Sequence, residues 1–479
     1  MINLLPTPKK YEIDTDIVFS IKPVITGDDA LWSDGIEVFK EAFFKINEIE
    51  IGDGIGGIEI KRDSSLPKDK YVIDCNESIS VYASDKEGFL YALASLFQLI
   101  NVKDGILTCP QLHVEDYPEK DFRGFMIDLG RLWHPFDKLL RFVDLCFIYK
   151  IKYLHLHFMD DKLYTLPSKL FPKLPTKGKS YTFDEIAYLN EYAQKRGIAL
   201  IPEIEGPGHA TPFNEAYPEI FANKIVGEVA EQGLTEFGAV IDDKSLFCPG
   251  SQKCMEAVDA LIGEICEMFP DTPYIHIGGD EAKEDYWEKC IECQRYMREN
   301  DIADVHELYC DYIGRVSNMV LSRGKTPIVW EGFSKKGAER VPKETIVIAW
   351  ESYYHTATDL LEEGFKVINC TWQPLYIVKS IEQRWDALDI MKWNVYNWQH
   401  WWENSEATLN PINVTPTEDV IGGLICSWEL TYEQEINFVM ENLIALSERT
   451  WNVKRKLNDR EFIHIHRNLL DKAARLLLY

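Results

Sequence analysis

Tyr274-Ile275-His276-Ile277-Gly278-Gly279-Asp280-Glu281-Ala282 is the stretch on which the reading of the fold turns. Its first half, Tyr274 to Ile277, is a short apolar-rich run of the kind that forms a buried strand. Two glycines then permit a tight turn, and two adjacent carboxylates follow where the strand gives way to a loop. A parallel strand ending in acids is the pattern of a barrel enzyme, whose chemistry sits at the C-terminal ends of its strands. Alone, the run fits a Gly-Gly turn carrying two solvated acids equally well. The other strand ends decide between the two.

Outward from this run, the same motif recurs from about residue 119. Strand-like segments fall at Phe122–Leu129, Tyr153–Met159, Ala199–Ile204, Tyr274–Gly279, Pro327–Glu331, Thr345–Trp350, Lys366–Cys370 and Val420–Trp428. Helical periodicity separates most of them, as in Phe136–Tyr149, Phe183–Arg196 and Gln252–Met268. Eight strands alternating with helices predict an α/β chain built on a (β/α)8 TIM barrel over residues 118–452. Glu433–Trp451 reads as the last barrel helix. Leu457–Tyr479 adds a further C-terminal helix, within 453–479, whose apolar positions suit packing on the barrel.

The strand ends then carry a common chemistry. Strand one ends near Asp128 and Arg131, and strand two at His155, His157, Asp160 and Asp161. Strand three runs into Glu203, Glu205 and His209, and strand four into Asp280-Glu281. Trp330-Glu331 closes strand five, Trp350-Glu351 strand six and Trp428-Glu429 strand eight, while Tyr376 follows strand seven. Acids, histidines, an arginine and indoles at all eight ends make a mouth suited to carbohydrate.

Residues 1–117 form a separate small α/β unit. Strands are expected at Tyr71–Asp74 and Ser78–Tyr82, and helices at Asp34–Ile46 and in the run KEGFLYALASLFQLI from Lys86. Gly52-Asp-Gly54-Ile-Gly-Gly57 matches GxGxxG, but a dinucleotide site needs a helix next. Ile58-Glu-Ile-Lys alternates like a strand, so the run is expected to be a turn.

Composition narrows the partners. The 51 Lys+Arg against 78 Asp+Glu leave a net charge of −27, which repels nucleic acid and anionic membranes. No apolar run reaches the roughly 18 residues of a membrane span, and the start MINLLPTPKKYE lacks a signal-type core, so a cytoplasmic location is expected. The 11 cysteines have no framework spacing and read as reduced thiols. Cys290 and Cys293 form a CxxC with no second pair nearby, and no metal or other cofactor is expected. Sequons occur at Asn76, Asn369 and Asn413, with Asn369 in an expected buried strand.

The strings RGFMIDLGRLWHP, KYLHLHFMDD, IPEIEGPGHA and IHIGGDEA, two Trp-Glu strand ends and the final SWE follow one another in the order of a known family. The chain resembles the family 20 glycoside hydrolases, the β-N-acetylhexosaminidases, over nearly its whole length. The resemblance implies exo-acting removal of terminal N-acetylglucosamine or N-acetylgalactosamine with retention. In this family the sugar's 2-acetamido oxygen acts as nucleophile and forms an oxazolinium ion. It implies Glu281 as general acid and base, and Asp280 as acceptor of the acetamido N–H. Neighbouring carboxylates raise each other's proton affinity, which would help hold Glu281 protonated. It further implies Arg131 on the sugar's O3 and O4, Asp160 paired at that rim, with Asp161 the weaker choice, and Glu205 and His209 orienting the acid machinery. Trp330, Trp350 and Trp428 would box the acetamido methyl and the pyranose face, Tyr376 would donate to the acetamido oxygen, and Glu429 would reach O4 or O6. Arg123 is expected to brace the barrel.

Two positions depart from the family. Val378 stands where many members carry Asp or Asn, and Glu429 follows Trp428 directly instead of after one intervening residue. Both bear on the sugar's far hydroxyls, so altered hydroxyl recognition is expected beside an intact acid pair. The aromatic stretch Trp393–Trp402 reads as a platform for the leaving group, a contact in a homodimer, or plain packing. Other readings are a relative that releases a disaccharide or a sulfated sugar, and a metal-dependent amidohydrolase using His155 and His157. The last needs further His or Lys ligands on later strands, where Trp-Glu stands instead.

Overall fold

The computed structural model describes residues 2–224, 233–234, 240–241, 245–378 and 385–478. Strands Phe122–Asp128 and Tyr153–His157 are buried at every position. Such strands suit a parallel sheet covered on both faces. They pair with each other and continue through Ala199–Glu203, Tyr274–His276, Thr326–Trp330, Ile346–Ala349 and Lys366–Asn369 to Val420–Trp428. That last strand pairs with the first, closing an eight-stranded parallel barrel. The expected (β/α)8 barrel is therefore present, each predicted strand in its place. A short additional strand, Tyr376–Val378, pairs with Cys426–Trp428 at the rim.

The barrel lumen is a packed core distinct from the outer one. Phe122, Met126, Tyr153, Ile201, Ile328, Ile346, Ile368 and Leu424 fill it, and Phe122 stacks on Tyr153 with ring centroids 4.6 Å apart. Toward the C-terminal mouth the same cluster passes into Trp330, Trp350, Trp372, Tyr376 and Trp428. Apolar filling below and aromatic filling above leave the mouth as the place for polar chemistry.

Before the barrel stands a mixed sheet flanked by helices Ser33–Asn47 and Lys86–Leu99. The expected strands appear as Tyr71–Asn76 and Ser78–Ala83. The GxGxxG run is a turn leading into strand Ile58–Arg62, not into a helix. Two long strands were not foreseen, Lys10–Ile21 and Ile106–Asp116, which pair antiparallel. Lys10–Ile21 is exposed along most of its length, so no burial forces an alternating pattern on it.

Helix Lys86–Leu99 is buried from Gly88 onward because it lies between its own sheet and the barrel. Arg123 braces that joint, as expected, and is 0% exposed. It donates to the carbonyls of Lys150 at 2.9 Å, Lys120 at 2.7 Å and Asp121 at 3.1 Å, and to the Tyr91 hydroxyl at 2.6 Å. Beside it the Trp451 indole donates to Asp116 at 2.9 Å, and Asp116 accepts the Tyr71 hydroxyl at 2.7 Å. Helix Asp459–Leu478 lays Phe462, Ile465, Leu469 and Leu476 against helices Ser33–Asn47 and Phe136–Ile148. The C-terminal helix thus ties the first unit to the barrel.

Removing the Arg123 guanidinium strands two buried carbonyls, of Lys150 and Lys120, and the part-buried carbonyl of Asp121. Arg123→Ala is expected to lower unfolding free energy by about 3–5 kcal/mol, and Arg123→Lys to recover only part, since an ammonium lacks the planar fork. Urea unfolding followed by tryptophan fluorescence measures both.

Candidate active site at the barrel mouth

The innermost polar group of the mouth is Glu203, the last residue of strand three and 0% exposed. Its Oε1 accepts the Trp330 indole N–H at 2.6 Å and lies 2.9 Å from His276 Nδ1. Its Oε2 lies 2.5 Å from His157 Nδ1 and 3.0 Å from His155 Nε2. Burial alone raises a carboxyl's pKa, but here His157, His276 and His155 outweigh it and hold Glu203 well below the usual range. In return Glu203, Asp160 and Asp128 overcome the desolvation of His157 and lift it to about 10, so it is an imidazolium. His276, desolvated and beside two other imidazoles, falls to about 4 and stays neutral.

Strand four ends at His276, and the turn after it places the acid pair. Gly278 and Gly279 adopt φ of 69° and 94°. A Cβ on Gly278 would lie 2.3 Å from Glu205 Oε2, so only glycine fits there. Glu281 itself takes φ 47°, and across from it His209 takes φ 50°. Positive φ at non-glycine residues costs of order 1–3 kcal/mol each and collects at functional sites. His209 joins the two loops: Nε2 lies 3.4 Å from Glu281 Oε2 and 3.8 Å from Asp280 Oδ2. Its Nδ1 lies 3.3 Å from Asp161 Oδ2 and 3.6 Å from Asp160 Oδ2. Burial opposes charge on this imidazole, yet Asp160, Asp161, Glu281 and Asp280 raise its pKa well above the ordinary value. Asp161, the less favoured acid in the sequence, is therefore the nearer partner of His209, and its other oxygen accepts the Thr211 hydroxyl at 2.6 Å.

Asp280 carries a raised carboxyl pKa. Burial first, and then the charges of Glu281 and Glu203, push it up to about 6 against the opposing pull of His209. Glu205 lies beneath, fully buried; desolvation and the charges of Asp280 and Glu203 hold it well above the carboxylate range. It packs against the Gly278 turn rather than against Glu281.

Arg131 forms the opposite rim. Its guanidinium reaches Asp160 Oδ2 at 2.7 Å, Asp128 Oδ2 at 3.4 Å and Glu429 Oε1 at 3.8 Å. It lies over the Trp428 ring, 4.9 Å from the centroid. Desolvation works against its charge, but Asp160, Asp128, Glu281 and Glu429 outweigh it. Asp160, pressed by burial toward neutrality, is held strongly ionised by Arg131 and His209. Glu429 adopts φ 56° and also meets Lys162 at 3.1 Å.

Aromatic rings line the space between. Trp330 lies 5.9 Å from Trp428 and 6.4 Å from Trp350, and Trp350 stacks on Tyr376 at 5.5 Å. Trp372, which sequence reasoning missed, stacks on Tyr376 at 4.5 Å. It comes from the short segment after strand seven, where only the position of Tyr376 was anticipated. Burial, together with nearby negative charge, keeps the Tyr376 phenol neutral and so a donor. Tyr354 was also missed; burial and then the charge of Glu281 raise its pKa.

Two strand-end acids turn away from the mouth. Glu331 is 0% exposed and accepts backbone N–H bonds from Trp350, Ser352, Tyr353, Tyr354 and His355 at 2.9–3.3 Å. Glu351 accepts the Trp372 indole at 2.9 Å. Both shape loops. Within Trp393–Trp402, Trp393 and Trp398 are buried, and the Trp398 indole donates to Ala349 O at 3.0 Å. Those two are packing residues, while half-buried Trp401 meets Trp372 edge-on at 5.7 Å. Asn369 is buried, its amide donating to Val395 O and Asn397 O at 3.0 and 2.9 Å.

His155, Glu203 and His276, and likewise His209, Asp280 and Glu281, each bring three ligand-type atoms within 4.8 Å. In both sets the imidazoles already face carboxylates. His155 and His157 turn onto Glu203, and the Trp-Glu ends of strands five and six supply no further imidazole, which weighs against an amidohydrolase site.

A family model described as glycosyl hydrolase family 20, catalytic domain, matches residues 121–454, and one described as glycosyl hydrolase family 20, domain 2, matches residues 1–117. A beta-hexosaminidase of Porphyromonas gingivalis is 28% identical over 333 residues, covering 63% of this chain and 41% of that protein. Beta-hexosaminidase subunit beta of Entamoeba histolytica is 27% identical over 407 residues, covering 80% and 69%. The chain thus spans 41% to 69% of the length of these curated relatives. A family 20 exo beta-N-acetylglucosaminidase from Vibrio harveyi, solved with N-acetylglucosamine, shares the fold with a TM-score of 0.84 at 22% identity, covering 98% of this chain and 77% of that one.

The Glu203 cluster has a direct spectroscopic test. Glu203→Gln keeps the shape but removes the charge that sustains the His157 imidazolium, so His157 is expected to titrate at least about two units lower, near the ordinary histidine value. Histidine-selective NMR across pH reads that shift.

Proposed function

The chain belongs to glycosyl hydrolase family 20, and on that premise we propose that it is an exo-acting β-N-acetylhexosaminidase working by substrate-assisted retention. The observation that carries the proposal is what the other acids at the mouth are doing. Among the described residues, Glu203 holds imidazoles, Glu331 and Glu351 hold loops, Asp160 pairs with Arg131, and Asp161 pairs with His209. The adjacent pair Asp280-Glu281 is left to do chemistry. Among the described residues, the carboxylates of the opposite rim, Asp160, Asp128 and Glu429, face the Arg131 guanidinium, which suits a reaction whose nucleophile is the substrate's own acetamido oxygen.

In this reading Glu281 gives its proton to the departing glycosidic oxygen and then takes one from the incoming water. Asp280 accepts the acetamido N–H and balances the positive charge of the oxazolinium. His209, kept cationic by four carboxylates, holds Glu281 in line. Tyr376 donates to the acetamido oxygen, and Trp330, Trp350 and Trp428, with Trp372 added, enclose the methyl group and the sugar face. Arg131, braced by Asp160 and Asp128, takes the O3 and O4 hydroxyls, with Glu429 beside it; Glu205 supports the turn from below.

Location is a second part of the proposal. No described helix is long and apolar enough to cross a membrane, and all of the cysteines are free thiols. Free thiols suit a reducing compartment, and a cytoplasmic site of action fits them.

Glu281→Gln is expected to lower kcat/KM on a poor leaving group by about 100- to 10,000-fold, with the thermal midpoint little changed. Asp280 must be ionised to act, so in the parent enzyme kcat/KM should fall as pH drops through about 6. That limb should be missing in Asp280→Asn. A parent profile flat from about pH 8 to about pH 5, a span of about three pH units that brackets Asp280, would contradict the assignment. Specificity is tested separately. With Val378 lacking a polar group and Glu429 held at the rim, kcat/KM on the nitrophenyl gluco and galacto N-acetylhexosaminides should agree within about tenfold. A strong gluco preference counts against it.

A further inference from the structure

Cys290 and Cys293 stand alone in sequence as a CxxC, but the fold brings a third thiol to them. Cys248 Sγ lies 3.5 Å from Cys290 Sγ and 3.7 Å from Cys293 Sγ, and all three residues are buried. The three sulfurs lie within 4.8 Å of one another. A disulfide needs sulfurs about 2.05 Å apart. Tetrahedral zinc with Zn–S bonds of about 2.3 Å spaces its sulfurs by about 3.8 Å. The observed spacing matches the second geometry.

The surroundings are those of a built site. Glu292 Oε2 lies 3.8 Å from Cys248 Sγ, while its other oxygen is held by the Lys224 ammonium at 2.7 Å. Cys290 is the N-cap of helix Ile291–Glu299, and Cys293 lies in its first turn, where the helix dipole favours thiolate charge. The backbone N–H groups of Cys293 and Lys224 are directed at the Cys290 thiol, and that of Gly250 at the Cys293 thiol. Amides aimed at sulfur are the outer-shell support a thiolate metal site requires. Gly250 is needed for that approach, because a Cβ there would stand 2.5 Å from the backbone of Cys293. The Asn223 amide oxygen lies 3.9 Å from Cys293 Sγ.

We propose that Cys248, Cys290 and Cys293 bind a structural zinc ion, with the Glu292 carboxylate as the fourth ligand. Binding transfers no electrons: each thiol releases its proton to solvent as its sulfur takes up the metal. Four protein ligands leave no open position for substrate, so the ion is a staple and not a catalyst. What it staples is the active site's outer wall. The Cys248 segment is bonded to the loop after strand three through Phe247 N–H to Pro207 O at 2.9 Å, two residues from His209. It meets the segment after the acid pair through the Trp287 indole on Phe247 O at 3.0 Å. Zinc would therefore lock the His209 loop to the loop carrying Asp280 and Glu281. The inference rests on the thiols alone and stands whether or not the sugar chemistry proposed above is correct.

The test is metal analysis of the full chain, purified with a reductant and no chelator from zinc-supplemented medium. About one zinc per chain is expected by plasma mass spectrometry. Cobalt(II) added to metal-stripped protein should give the visible bands and near-ultraviolet sulfur charge transfer of a tetrahedral thiolate site. Cys290→Ser should lose the zinc, and Cys266→Ser, at a half-buried thiol elsewhere, should keep it. Stripping the zinc should lower the thermal midpoint of the parent protein. Parent protein carrying under about one zinc per ten chains, with every thiol titratable or with two lost to a disulfide, overturns the proposal. That measurement needs no variant, so a misfolded Cys290→Ser leaves the result decisive.

Discussion

The mouth of this barrel depends on one buried ion, the Glu203 carboxylate. An isolated carboxylate in an apolar lumen would cost several kcal/mol or more and would take up a proton instead. Here three imidazoles and an indole N–H converge on its two oxygens, and one imidazole carries the compensating charge. From that point order travels outward. Glu203 sets the ring plane of Trp330 and the orientation of His157, whose Nε2 lies 3.2 Å from Asp160. Asp160 in turn orders Arg131, and Arg131 covers Trp428. The far rim of the mouth is thus referenced to the middle of the barrel through short charge-assisted contacts.

Against that frame the acid pair is held differently. Its position comes from backbone geometry, two glycines and a left-handed Glu281, and from His209, itself left-handed, reaching over from the next loop. Four carboxylates surround this single imidazolium. Burial and the charges of neighbouring carboxylates raise both Asp280 and Glu205.

The outer parts read as support for that geometry. The N-terminal sheet and its helices buttress the barrel through Arg123, Tyr91, Asp116 and Trp451, none of which approaches the mouth. The thiol cluster sits where the loops after strands three and four meet, so whatever constrains it constrains His209 and the acid pair together.

The eight strands and the acid pair were legible because they obey local rules. A strand buried on both faces must be a short apolar run, and the residue after it must turn. The exposed strand Lys10–Ile21 obeyed no such rule and left no trace in the pattern. The chemical identity of the strand ends was also local, which is why a mouth of acids and indoles could be read from order and spacing. Which acid does what was not local. Glu331 and Glu281 both follow an apolar run, yet one is engaged by five backbone amides and the other is turned to the mouth by a left-handed φ. Asp161 rather than Asp160 stands nearer His209, and Trp372 joins the aromatic box, because of how loops from different strands meet. Cys248 reaches Cys290 and Cys293 across a separation that no spacing motif encodes. The sequence by itself determined the barrel and the inventory of its mouth, since periodicity and residue type suffice for both. Only the tertiary structure assigned the partners, because burial and distance between loops set each group's charge and task.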